Sequence, residues 1–294
     1  MRFPAFLVRI LAVCVALAAW SMMAAAANAA EGSRCLAMAQ APRNMPVDGP
    51  PRHFRGPHHV RPVRYIPAAL GPDQVLITYI THATFRIETP AGTTIATDYA
   101  GVAGRGRLPD VVTMNHAHET HYTDFPDKGI AHVLRGWNPA GGPARHNLKV
   151  GDVLVRNVPT DIRTWDGGRE EHGNSIFIFE VAGLCIGHLG HLHHELSPED
   201  LAAIGQLDVV MAPVDGTYTL DQPSMVKTLK VLKARIVIPM HAFGASSLAS
   251  FVQKMSTDFA ISYFEKSELI VTAAGLPDTP TVMVLPELLH WSFE

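Results

Sequence analysis

The chain is short of cysteine, of aromatic residues and of charge. It has three cysteines in 294 residues, 7% aromatic and 17% charged residues. Three cysteines cannot build a disulfide scaffold, so any fold must rest on an apolar core. Neither charge sign dominates: 24 Lys+Arg stand against 27 Asp+Glu, for a net charge of −3. With no aromatic stripe among the basic residues, nucleic acid is not an expected partner. No repeat of short period appears, and no low-complexity tract follows Pro72, which excludes solenoid and tail-like architectures.

What is present begins with an export signal. Arg2 and Arg9 bracket the start, an apolar run covers Ile10 to Trp20, and Ala27-Asn28-Ala29 reads as an A-x-A cleavage site. The apolar part is shorter than the ~20 residues of a spanning helix, and neither Cys14 nor Cys35 follows a lipobox. Residues 1–30 are therefore predicted to be a signal peptide, with no stable membrane anchor after cleavage and a periplasmic or secreted mature protein. Residues 31–72 are rich in Pro, Arg, His and Gly, as in Pro50-Pro51-Arg52-His53. Prolines this dense exclude regular elements, so an extended arm or linker is expected. Cys35 and Cys185 would remain after cleavage. An oxidising compartment permits them to pair, while the apolar setting Leu184-Cys185-Ile186 favours a buried inert thiol.

Residues 73–294, about 220 positions, suit one large α/β domain, and an apolar content of 47% supports a sizeable core. Runs rich in β-branched residues predict strands at Val75–Ile80, Thr84–Glu88, Thr93–Asp98 and Asp110–Met114. Further strands are expected through Val158 and after residue 175, with a hairpin across Ala182-Gly183. Ser197-Pro198-Glu199-Asp200 reads as a helix start, with Ser197 as N-cap and Pro198 in the first turn. A second helix is expected over Gln222–Lys233 and a third over Leu248–Met255.

The histidines of Asn115-His116-Ala117-His118-Glu119-Thr120-His121 carry the chemistry. They follow a buried strand directly, where an α/β fold places its reactive loops. In an extended segment His116 and His118 project to one side, and a turn at Glu119-Thr120 would bring His121 to the same point. Neutral imidazoles converging there would form a metal site.

The spacing H-x-H-x-x-H after a strand resembles the signature loop of the metallo-β-lactamase fold, usually H-x-H-x-D-H, with Thr120 at the Asp position. Four further segments carry the same resemblance. His82 in Ile80-Thr81-His82-Ala83 and Asp98 at a strand end resemble the opening of the lactonase-like branch, which includes L-ascorbate-6-phosphate lactonase and N-acyl-phosphatidylethanolamine phospholipase D. Gly187-His188-Leu189-Gly190-His191 resembles H-L-G-D, with His191 in place of a metal-bridging Asp. Ile236-Val237-Ile238-Pro239-Met240-His241 resembles the last metal motif. Val158-Pro159-Thr160-Asp161-Ile162 resembles V-P-T-x-H with Ile162 replacing the histidine, and a turn is expected there.

The resemblance implies a four-layer αβ/βα sandwich with the site at the shared edge of two sheets. It also implies that His116, His118, His121, His191 and His241 ligate metal, with His82, Asp98 and His188 standing behind the ligands. One imidazole replaces a carboxylate that would ligate two cations, so one divalent ion is expected, zinc first. A metal-bound water would then attack an ester, lactone, amide or phosphodiester in a small-molecule substrate. Glu119, Asp124 and Asp161 are the nearby candidate bases. The alternative is an inactive relative that binds metal or a small ligand without turnover.

Overall fold

The computed structural model describes residues 33–36, 70–164 and 166–289. The expected signal peptide and nearly all of the expected Pro-rich arm lie outside these residues. From Val75 onward the strands form two sheets. The first has six strands in the order β13-β1-β2-β3-β4-β5, from β1 (Val75–Thr81), β2 (Thr84–Glu88), β3 (Thr94–Ala96), β4 (Val111–Met114), β5 (His132–Arg135) and β13 (Glu268–Val271). The second has eight, β12-β14-β11-β10-β9-β8-β7-β6. Its members are β6 (Asn147–Val150), β7 (Val153–Arg163), β8 (Arg169–Val181), β9 (Leu184–His188), β10 (Val209–Pro213), β11 (Ile236–Met240), β12 (Ala260–Tyr263) and β14 (Thr281–Val284).

Both faces of the larger sheet are buried along its central strands β9, β10 and β11, which is why these read as unbroken apolar runs rather than alternating ones. Along β8, Phe177 and Phe179 face the six-stranded sheet and join Ile77, Phe85, Ile87 and Val111 in the inter-sheet core. Ile176 and Ile178 face the other way, toward helices. The same period of two sets Ile236, Ile238 and Met240 inward and Val237 outward on β11. A slip of one residue would exchange the two sets, so the burial pattern fixes the register.

The helices α1 (Pro198–Ile204), α2 (Gln222–Leu232) and α3 (Ala245–Met255) cover the outer face of the eight-stranded sheet. α1 starts with the predicted Ser197 cap in a reciprocal capping box with Asp200. α2 stops one residue early because Lys233 adopts a left-handed cap, φ 55°. Among the described residues the outer face of the six-stranded sheet is covered by loops. There Tyr99 and Ile130 pack on Val112 and Met114, and the buried Arg86 guanidinium donates to Arg107 O at 3.1 Å.

Two expectations are corrected here. Val158–Ile162 is not a turn but the continuation of β7, with a bulge between Thr160 and Ile162. Pro159 is tolerated because β6 pairs with β7 only as far as Arg156, so the missing N–H falls on an edge without a partner. Cys185 is not an inert thiol: it forms a disulfide with Cys35, 150 residues away. The cysteine segment is also tied down by hydrogen bonds from Ser33 Oγ to Glu180 and from Gln206 N to Cys35 O.

Candidate metal centre

The parallel strands β9, β10 and β11 end at one edge, as do β3 and β4 of the facing sheet. Backbone bonds close that edge across the sheets. His241 N donates to His82 O at 2.8 Å, and His116 N donates to Gly173 O at 2.9 Å. His188 Nε2 adds a bond to Ala83 O at 2.8 Å. Loops leaving strands of both sheets are thereby held together, where an open α/β sheet places its ligands.

Four histidines meet there. His82, in the β1–β2 turn, His118, His121 and His241 each offer a ring nitrogen within 4.8 Å of the others. His118 Nε2 and His241 Nε2 lie 3.4 Å apart, close to the ~3.3 Å between two nitrogens on a tetrahedral ion at 2.0–2.1 Å. His191 borders the group, its ring centre 5.1 Å from those of His118 and His121 and 5.0 Å from that of His241. Nε2 of His82, Nε2 of His121 and both ring nitrogens of His191 are buried with no hydrogen-bond partner among the described residues. Each such atom costs ~1–3 kcal/mol if left alone. A divalent cation held among the four rings would remove that cost at His82 and His121, and imidazole nitrogen suits zinc and the other late first-row ions, so the residues present fit a metal.

The supporting contacts set the ring orientations. His121 Nδ1 lies 2.6 Å from Asp98 Oδ2, and Asn115 donates to the other Asp98 oxygen at 2.8 Å. His241 Nδ1 lies 3.1 Å from Asp215 Oδ1. Thr120, at the position where the resemblance has Asp, places its hydroxyl 2.8 Å from His118 Nδ1. In each case the outer nitrogen is engaged and Nε2 is left to face the centre, the arrangement that fixes a ligand's tautomer.

Burial, reinforced by the neighbouring His241 and His118, lowers the pKa of His82 to about 2. Burial, then His241, lowers that of His118 to about 4. Burial also holds His121 and His191 well below the ordinary value. These four rings are uncharged at pH 7, with lone pairs free for a cation. Burial pushes the Asp98 carboxyl well up. Asp215 is also pushed up by burial, but hydrogen bonds from His241 and Thr219 outweigh this and hold it below the usual carboxylate range.

Backbone strain converges on the same residues. His82, Asp98 and His241 have φ of 48°, 41° and 55°, left-handed values that cost non-glycine residues of order 1–3 kcal/mol each. Strain at three positions of one edge is the pattern expected where a site, not the fold, dictates residue type.

The structure redistributes the roles expected from sequence. His82 lies among the ring nitrogens rather than behind them. His116 turns away: its ring stacks on Trp137 at 4.9 Å, and its Nδ1 lies 2.8 Å from Glu170 Oε1. His188 is bound between Ala83 O and Gly190 N, so it braces the His82 turn and contacts no ligand position. Ile162 is buried in β7 and offers no donor. Of the three candidate bases, Glu119 and Asp124 are exposed and none belongs to the histidine group. Asp161 is engaged by Arg169 and by His172 N. Sequence reasoning missed Asp215 as the partner of His241, and Glu287, which accepts His82 N at 3.0 Å. An Asp at the end of the apolar strand β10 was the available signal for the first; nothing local marks Glu287.

A model of the "Beta-lactamase superfamily domain" matches residues 76–241, from β1 to the last histidine of the group. The chain belongs to that superfamily. Among its superfamily relatives, a UPF0173 metal-dependent hydrolase from Pyrococcus furiosus is 27% identical over 194 residues, covering 57% of this chain and 84% of that one. One from Polaromonas sp. is 26% identical over 227 residues, covering 61% and 80%. A solved Thermotoga maritima structure, whose name assigns it as a Zn-dependent hydrolase of the metallo-β-lactamase superfamily, aligns with TM-score 0.52 and 27% identity. It covers 72% of this chain and 98% of that one.

Proposed function

We propose that the protein is an exported hydrolase of the lactonase-like branch, holding one divalent ion, zinc first, and cleaving an ester, lactone, amide or phosphodiester in a small molecule. The observation that carries it is the convergence of four ring nitrogens within 4.8 Å of one another, those of His82 and His121 buried with no hydrogen-bond partner among the described residues. His82, His118, His121 and His241 would hold the ion, with His191 beside them. A divalent ion in such a site polarises an acyl or phosphoryl oxygen and lowers the pKa of a water to about 7. The chain's own residues keep His82, His118, His121 and His191 neutral, orient His121, His118 and His241 through Asp98, Thr120 and Asp215, and exclude bulk water from His121 and His241, both fully buried. Export is supported by the Cys35–Cys185 disulfide, which persists in an oxidising compartment.

The test pairs metal content with turnover on nitrophenyl esters, a lactone and a bis-nitrophenyl phosphate, comparing wild type with His118→Ala/His121→Ala. At least a 100-fold loss in the variant is expected, and equal rates would remove the enzyme reading. A second reading, metal binding without turnover, is favoured by one observation, the lack of a carboxylate in the histidine group among the described residues. One ion per wild-type chain with no hydrolysis of any substrate would select it. Mass spectrometry of protein from the native host should show the first 29 or 30 residues removed; intact chain with free thiols in the cytoplasm would exclude export.

A further inference from the structure

Two large aromatic side chains stand in solvent at the rim of the histidine group. Phe243 is 47% exposed and Tyr218 63% exposed. Their rings meet edge to face at 5.3 Å. The Phe243 ring centre is 5.0 Å from that of His241 and 5.7 Å from that of His82. The pair is thus continuous with the candidate ligands, and among the described residues nothing covers it.

The Tyr218 segment is tied to Asp215. Tyr218 N donates to Asp215 Oδ2 at 2.6 Å, and the same carboxylate accepts Thr217 N at 2.8 Å and Thr219 N at 3.2 Å. Asp215 is also the partner of His241 Nδ1, so one carboxylate fixes both a ring of the centre and the aromatic loop. Phe243 follows His241 by two residues and precedes α3, whose first residue is Ala245. Holding two exposed aromatic faces rigidly gains nothing for folding, since they stay wet; it gains affinity for a ligand that covers them, because the ordering cost is met in advance. Apart from the Tyr218 hydroxyl, what the two rings present is aromatic hydrocarbon, so the complementary chemistry is apolar.

Resting on the hydrolase reading above, we infer that Phe243 and Tyr218 form the subsite for an apolar substituent on the reacting acyl or phosphoryl group. The substrate is then an ester, amide or related compound with a ring-sized apolar group, not a small all-polar one.

The probes are phenylacetohydroxamate and acetohydroxamate, two metal-binding heads that differ in the apolar group, titrated by calorimetry against the zinc-loaded full chain. The phenyl probe should bind about tenfold tighter, the ratio for hiding roughly 60 Å² of hydrocarbon. Tyr218→Ala should abolish most of that ratio while zinc per chain stays unchanged, and Phe243→Leu should lower it in part. Equal affinities of the two probes, or a ratio indifferent to Tyr218→Ala, overturn the subsite and leave the metal centre standing. The pair is repeated on metal-stripped protein, with the Tyr218 ring followed by NMR. A phenyl preference lost in Tyr218→Ala but with no zinc uptake by wild type would sink the hydrolase reading and keep the subsite.

Discussion

Replacing His116 should leave the metal in place, although the sequence spacing puts this residue first in the ligand motif. In the structure its ring is stacked on Trp137 and bonded to Glu170, and it is absent from the four rings that converge. The magnitude follows from ligand number. Four-ligand structural zinc sites bind with apparent free energies of about 10–16 kcal/mol at pH 7. Shared over four rings this is roughly 2.5–4 kcal/mol each, or two to three powers of ten in affinity. His82→Ala, His118→Ala, His121→Ala and His241→Ala should each weaken zinc by that factor. His116→Ala should weaken it less than about threefold and cost about 1 kcal/mol of stability through the half-exposed Glu170 contact. Competition with a chromophoric chelator gives the affinities, and elemental analysis gives the stoichiometry, expected to be one. The reasoning fails if His116→Ala loses zinc as completely as His118→Ala, or if His82→Ala keeps wild-type affinity.

Asp98→Asn should lower zinc affinity about 10- to 100-fold, because the carboxylate at 2.6 Å fixes the proton on His121 Nδ1; a chelator titration matching wild type would dismiss that role. Cys35→Ser/Cys185→Ser removes a bridge spanning 150 residues, for which chain entropy sets a ceiling of about 5 kcal/mol. A denaturant midpoint shift worth less than about 1 kcal/mol would show that the staple does not constrain the unfolded chain. Metal-free protein should be acid-sensitive. Burial lowers His82 to about 2 and His188 to about 4, and holds His121 and His191 well below 6.5. The unfolded rings take up protons as pH falls through 6.5 while the folded ones do not, so stability is present above 6.5 and lost below it. At ~1.4 kcal/mol per ring over that range, discounted for partial exposure, urea unfolding at pH 5.5 should be weaker than at pH 7.5 by about 3–5 kcal/mol. A flat profile would mean that the rings are not buried neutral.

Legibility from sequence tracked how local the cause was. Strands with a buried face announced themselves through β-branched runs, and His118, His121 and His241, which the structure brings together, each follow such a run at one sheet edge. His116 was misplaced because the i, i+2 rule assumes an extended chain, whereas the backbone turns at once. Asn115 N bonds to His121 O at 3.2 Å and His121 N to His118 O at 2.9 Å, which rotates successive rings apart. His82 was placed behind the ligands because nothing in Ile80-Thr81-His82-Ala83 reveals that its φ is 48°, and that left-handed turn is what swings the ring inward. Asp215 and Glu287 act across 26 and 205 residues, and the disulfide across 150, separations at which pattern carries no geometry. The same distinction explains why losing Asp at Thr120 and His at Ile162 did not empty the site. A ligand set is defined by convergence in space, so a histidine from a hairpin turn can stand where the motif has none, provided the turn is held; Glu287, Tyr79 and His188 all bond to that turn.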